Sequence, residues 1–283
     1  MIGLFLDSWG LFHNSYLAGW WMGALLSMIG VLVIARQQIF LTAAIAQAST
    51  FGVATGLWLG GVIANDALPW IHTDGFLSAL AIGFAVAAAL VTARGGRFKG
   101  ESLEAVTGWI FLLASSGAVL LLSHSPHGLE EVHRLSSSSL IGASRVDVWV
   151  FGCLTILVSM ALWRCHWRIL LVALDPLMAE AMGIRTRWWN AALAIALGFG
   201  IGLSIRAAGM LYTFGCLVLP SLIGKNLCHE ISGMFLIAPL MALLASLTGF
   251  ILANYFDYPP AQMTIVLLCL LLALAWLQRA VRG

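Results

Sequence analysis

The sequence predicts an all-α integral membrane protein, a polytopic bundle of about nine transmembrane helices (eight to ten at the limits) in one membrane domain spanning residues 1–283. Three observations point there. Hydrophobic residues make up 61% of the 283-residue chain and charged residues only 9%, where a soluble domain carries about 25% charged residues. The mean hydropathy is +0.98. Apolar stretches of about 20 residues, the length that crosses the hydrocarbon of a bilayer, follow one another with mostly short interruptions. A formal net charge of +2 without a basic stripe argues against a nucleic-acid partner. The five cysteines are scattered, odd in number and free of any C-x-x-C spacing, so they do not form a disulfide framework.

Along the chain, "MIGLFLDSWG" has no basic region ahead of its apolar residues. It is therefore expected to stay on the protein and not to be cleaved as a signal peptide. The first crossing is predicted over 17–35 and the second over 39–63. The second carries small residues at every fourth position, Ala44, Ala48, Gly52, Gly56 and Gly60, a spacing that lets another membrane helix approach closely. Gln47 flanks that seam, about 100° around the helix from Ala48, where it can line a route or hydrogen-bond to a neighbouring helix. The third and fourth crossings fall at 75–93 and 102–123. An outer loop of about 124–145 follows, with His124, His127, Glu130, Glu131 and His133 within ten residues. Such a loop can collect a borderline cation, or it can be a solvated surface whose acids dock a second protein. The fifth crossing is expected at 146–163, and a long inner connection runs from Arg164 to Arg187. Crossings at 188–205 and 207–223 come next, the second of them short, with Gly209, Gly215 and Pro220 inside it, and readable as a broken helix. The last two are at 233–253 and 261–277.

Basic residues concentrate on the cytoplasmic side of a membrane protein. With the N-terminus outside and the C-terminus inside, eleven of the 14 Lys and Arg fall inside, and only Arg134, Arg145 and Arg206 fall outside. Arg206, near the outer end of the sixth crossing, either gates a cavity or snorkels to the interface. Tyr212, Thr213, Asn190 and Asn254 are candidates for a polar route, with hydrogen bonding between helices as the competing role. The pairs Cys165-His166 and Cys228-His229 lie at inner ends, as an exit-side metal site or as unrelated interfacial residues.

Within the inner connection, "DPLMAEAMGI" starts with an N-cap acid, Asp175, and a proline at the first helical position, Pro176, both helix-initiating. Ala179, Glu180, Ala181 and Met182 favour helix and Gly183 is placed to end it. A short surface helix over 175–183 follows, which by itself needs no role beyond joining two spans.

Three segments, in order, resemble the permease family of metal-ion ABC importers, a type II importer architecture: Arg36 with "QASTFGVATG" (Gln47 to Gly56); the acid and A-x-A-x-G of 175–183; and "RAAGMLYTFGCLVLPSLIG" (Arg206 to Gly224), with its Ala208-Gly209 pair and Leu219-Pro220-Ser221. Iron-chelate and cobalamin permeases share the looser pattern of Gly209, Gly215 and Pro220. The resemblance implies that 175–183 is a cytoplasmic coupling helix that docks on a separate ATPase subunit. It further implies a homodimer, two ATPase subunits that hold ATP and magnesium, an extracytoplasmic solute-binding protein, and a bacterial inner membrane. It also implies a pathway for zinc, manganese or iron, with an aspartate and a histidine at the positions that are Ala43 and Gln47 here. Their replacement favours a chelate or a small organic solute as the alternative cargo. A bare dication gives up its hydration at great cost without a carboxylate.

No G-x-x-x-x-G-K-[ST] occurs in the chain, so this polypeptide is not expected to bind a cofactor or hydrolyse ATP. A secondary transporter that needs no ATPase is the alternative from another class. The absence of mid-membrane acids counts against it. A membrane enzyme is disfavoured because no acid-base or nucleophile cluster falls on the spans.

Overall fold

The structure, a computed structural model, describes residues 2–62, 73–93, 102–123, 140, 142–228 and 230–282. Its regular elements are all α-helices: α1 Ile2–Ala35, α2 Ile39–Val62, α3 Asp74–Ala93, α4 Leu103–Leu122, α5 Arg145–Leu174, α6 Pro176–Ala181, α7 Thr186–Leu227, α8 Ile231–Phe256 and α9 Pro260–Arg282. All but α6 are long and apolar enough to cross a membrane. The chain is a multi-pass membrane protein, as its hydropathy predicts.

Two helices run further than the apolar pattern suggests. α1 begins fifteen residues ahead of its predicted crossing. α5 continues to Leu174, so Arg164 and Arg168 ride on helix where a connection is expected. Arg164–Leu174 contains no glycine or proline, and nothing in it stops a helix. α5 ends only where Pro176 disfavours the α region for the residue before it: Asp175 sits at φ −139, ψ 86. At its other end α5 opens on a capping box. The Ser144 hydroxyl accepts from the Asp147 amide, and the Asp147 carboxylate accepts from the Ser144 amide at 2.8 Å.

α7 covers both the sixth and the seventh predicted crossings in 42 residues, about 63 Å at 1.5 Å per residue and twice the hydrocarbon core. It is divided at Gly209, whose φ 78 and ψ 170 are not helical. Only glycine tolerates that backbone conformation without strain. The helix passes through Gly215 and Pro220 without interruption, so the break lies at the start of the predicted seventh crossing, at the first of its three candidate breakers.

The described residues cluster in two compact units, each built from separated stretches of chain. The first comprises 1–37, 138–184 and 211–283. In it the Thr155 hydroxyl donates to the Trp21 carbonyl and the Ser159 hydroxyl to the Met28 sulfur, so α5 runs parallel to α1. The Tyr212 hydroxyl donates to the Gly19 carbonyl and the Ser221 hydroxyl to the Ser27 carbonyl, both at 3.0 Å. The 211–227 part of α7 therefore also runs parallel to α1. α8 runs the other way, with Phe250 stacked on Tyr16 and Ala242 beside Gly23.

The second unit comprises 38–137 and 185–210. α3 lies in it between two glycine pairs spaced by four residues. A Cβ at Gly52 would meet the Leu80 carbonyl at 2.6 Å, and one at Gly56 the Leu77 side chain at 2.6 Å. A Cβ at Gly198 would meet Val86 Cα at 2.6 Å, and one at Gly202 would meet Ile82 Cα at 2.8 Å. The 186–208 part of α7 thus runs antiparallel to α3 in backbone contact. Small residues provide this packing because lipid offers no hydrophobic drive for association, which leaves close van der Waals fit to hold membrane helices together.

Candidate coupling helix and translocation residues

Six residues are too few for an isolated helix to persist in water, and α6 is held by its ends and its underside. The Asp175 carboxylate accepts from the Met178 amide at 2.9 Å, with Pro176 at the first helical position. At the other end the Gly183 amide donates to the Glu180 carbonyl and the Ile184 amide to the Ala179 carbonyl. Gly183 lies at φ +78. This bonding pattern is the Schellman motif, in which a left-handed glycine closes the helix. Ala179 is fully buried beneath the helix, and α6 packs on α5. Leu177 is 79% exposed, and Met178 and Met182 are more than half exposed. Asp175, Pro176, Glu180 and Ala181 share that exposed surface. The sequence picks out the capping residues, names Met182 only as a helix former and overlooks Leu177 and Met178, since an apolar residue on a six-residue helix looks like core until its surroundings are known.

In the second unit two tethers join α7 to its neighbours, one to α2 and one to α3. The half-buried Gln47 amide donates to the Met210 sulfur at 3.3 Å, one residue past the Gly209 break. One helical turn earlier, Arg206 makes an ion pair of 3.3 Å with Asp74, the first residue of α3. The pair links α7 to the start of α3. Sequence order hides both contacts, because each joins residues more than a hundred positions apart. Ala43 is half-buried on α2 and offers no donor atom. Ala44 and Ala48 are buried, on the helix whose Gly52 and Gly56 touch α3; Gly60 is buried as well.

Tyr212 and Thr213 lie in the packed interior of the first unit, at 0% and 1% exposure. The Tyr212 hydroxyl is occupied by the Gly19 carbonyl, the interhelical hydrogen bond that competes with a lining role. His124, His127, Glu130, Glu131 and His133 lie outside the described residues, as does His229. Among the described residues no three His, Cys, Asp or Glu side chains come together as a metal site, and all five cysteines are free. In the connections between spans, burial lowers the Arg36 guanidinium from its ordinary value and raises the Cys228 thiol from its own.

The chain is 23% identical to the manganese transport system membrane protein MntC of Halalkalibacterium halodurans, over 96% of this chain and 88% of that protein. It is 22% identical to the manganese import system permease protein ScaB of Streptococcus gordonii, over 91% and 88%. Its fold is that of a chain in the structure of PsaBC from Streptococcus pneumoniae in complex with Fab. The TM-score there is 0.79 at 16% identity, covering 98% of this chain and 95% of the other. A second similar structure, described as a metal-chelate type ABC transporter in an inward-facing conformation, gives a TM-score of 0.71 at 16% identity over 94% and 85%. The two manganese-system relatives are, by name, a membrane protein and a permease protein of transport systems. The profile of the ABC 3 transport family matches residues 8–279, and the chain belongs to that family.

Proposed function

We propose that the protein is the permease subunit of an ATP-driven importer of a divalent transition-metal ion, with manganese foremost. The observation that carries this reading is α6: capped at both ends, seated on buried Ala179, and presenting Leu177, Met178 and Met182 outward in a chain of the ABC 3 transport family. An exposed apolar patch on a rigid surface helix is a docking surface, and a separate ATPase subunit is the partner such a family member requires. The manganese cargo of the relatives supports the choice of metal. Two copies of the chain, two ATPase subunits with ATP and magnesium, and an extracytoplasmic binding protein complete the assembly. The N-terminus is outside and the C-terminus inside a bacterial inner membrane, with the two parts of α7 counted as separate crossings.

A second cargo, a metal chelate, is favoured by one observation. Where a bare dication would need a carboxylate, α2 offers Ala43 and a glutamine amide already bonded to a thioether. A thioether suits soft metals and is a poor ligand for manganese. Leu177→Asp places a charge on the docking face without touching a buried atom. The expected outcome is uptake of radioactive manganese reduced by about tenfold or more, with unchanged protein in the membrane. Uptake equal to wild type would remove the coupling role. Wild-type uptake of a manganese chelate, with none of free manganese, would replace the bare-ion cargo with the chelate.

A further inference from the structure

At the α8–α9 end of the first unit, a cavity of about 130 Å³ opens between α1 and the turn joining α8 to α9. The transport reading makes no use of it. Four aromatic rings line it, Phe12, Tyr16, Phe250 and Tyr258, together with Asn254 and Asp257. Tyr16 stacks on Phe250 at 5.3 Å between centroids and lies 6.3 Å from Phe12, forming a continuous aromatic wall. The volume is several times the ~30 Å³ that one water occupies, enough for a small organic group.

Two features give the cavity a polar sense. The Asn254 amide nitrogen is buried and has no hydrogen-bond partner among the described residues, a state that is unfavourable unless a ligand or water fills it. Asp257 caps α8 in the left-handed conformation, φ 58 and ψ 40. Glycine is the least strained residue there, yet the position holds a carboxylate at the mouth of an aromatic pocket. A carboxylate beside aromatic faces recognises an organic cation: the rings attract the charge through their quadrupoles and the acid neutralises it. Depth supplies the rest. Tyr255, Phe256 and Tyr258 are about half exposed around the cavity, and exposed aromatic residues at a helix end mark the headgroup level of a bilayer.

We propose that this cavity binds a small alkylammonium group, from an ethanolamine phospholipid headgroup or from a free amine, with Asp257 as counter-ion, the rings as its walls, and Asn254 donating to an acceptor on the same molecule. The test uses the full-length chain in lipid nanodiscs. One arm follows tetramethylammonium chloride by saturation-transfer NMR in discs of phosphatidylglycerol. The other measures, by native mass spectrometry, which lipid stays bound after release from discs of equal phosphatidylethanolamine and phosphatidylglycerol. Saturable tetramethylammonium binding identifies a free amine as a competent ligand, and selective retention of phosphatidylethanolamine identifies the headgroup. Asp257→Asn keeps a residue that tolerates the left-handed backbone and removes only the charge. It is expected to weaken whichever signal is present by about tenfold, with an unchanged unfolding midpoint. Asn254→Leu, which removes the donor, is expected to weaken retention of the lipid. Absence of both signals, or an Asp257→Asn protein that binds as wild type does, overturns the assignment.

Discussion

A methyl group added at Gly30 would fall onto the Leu217 carbonyl and within 2.5 Å of the Ser221 hydroxyl, the group that donates to Ser27 one turn away on α1. At Gly30, α1 and the second part of α7 therefore meet in backbone contact. Overpacking of this kind costs about 1–3 kcal/mol. The expected outcome for Gly30→Ala is a lower unfolding midpoint in detergent, corresponding to a stability loss of about 1–3 kcal/mol. A midpoint equal to wild type would mean that the two helices separate at little cost. Nothing local to Gly30 announces this. Residues 44 to 60 on α2 show their seam in the sequence because the small residues repeat at one spacing, whereas Gly30 is a single glycine whose partner is 187 positions away. Gln47 is similar. Its place beside a packing seam is legible, but its partner Met210 is not, since a thioether gives no pattern that a glutamine would be matched to.

Among the elements, α6 was the most legible, because every device that holds it is local: an N-cap acid, a proline at the first helical position and a left-handed glycine within nine residues. α5 was the least so. Hydropathy ends the fifth crossing at the first arginine, but a helix ends where its backbone meets a breaker, and Pro176 comes twelve residues later. The division of α7 belongs between these cases. A glycine at 209 permits φ 78, but the flanking helices determine that it adopts this conformation. Gly209→Ala places a side chain in a region that costs about 1–3 kcal/mol, and the cheapest relief is to let α7 continue as helix. Circular dichroism is expected to show no loss of helix while the unfolding midpoint falls and manganese uptake is impaired. Uptake and stability like wild type would show that the break is incidental.

For the molecule as a whole, the distribution of basic residues supports an N-out, C-in orientation, and the cysteines provide a direct check. Cys228 follows α7, near the hydrogen bond of 3.2 Å between the Arg279 guanidinium and the Asn226 side chain. An N-out, C-in chain puts this end in the cytoplasm. In a variant retaining only Cys228, a membrane-impermeant maleimide is expected to label inside-out vesicles and not intact cells. Because burial raises this thiol, it holds less thiolate at pH 7 than free cysteine. Labelling should therefore be slower than the free-cysteine rate and should keep rising to higher pH. Labelling of intact cells would invert the orientation.

The interleaved make-up of the two units has a consequence for the order in which the protein is made. The second unit, 38–137 and 185–210, holds all of its segments once residue 210 has been synthesised, while the first still lacks 211–283. α1 is made before its partners Tyr212, Ser221 and Phe250, which follow it by about two hundred residues or more. Until then α5 can already pack on α1, but the backbone surface around Gly19 and Gly30 stays uncovered. Assembly of the first unit is thus a late, long-range closure, in which α1 completes its packing only after α8 has been made.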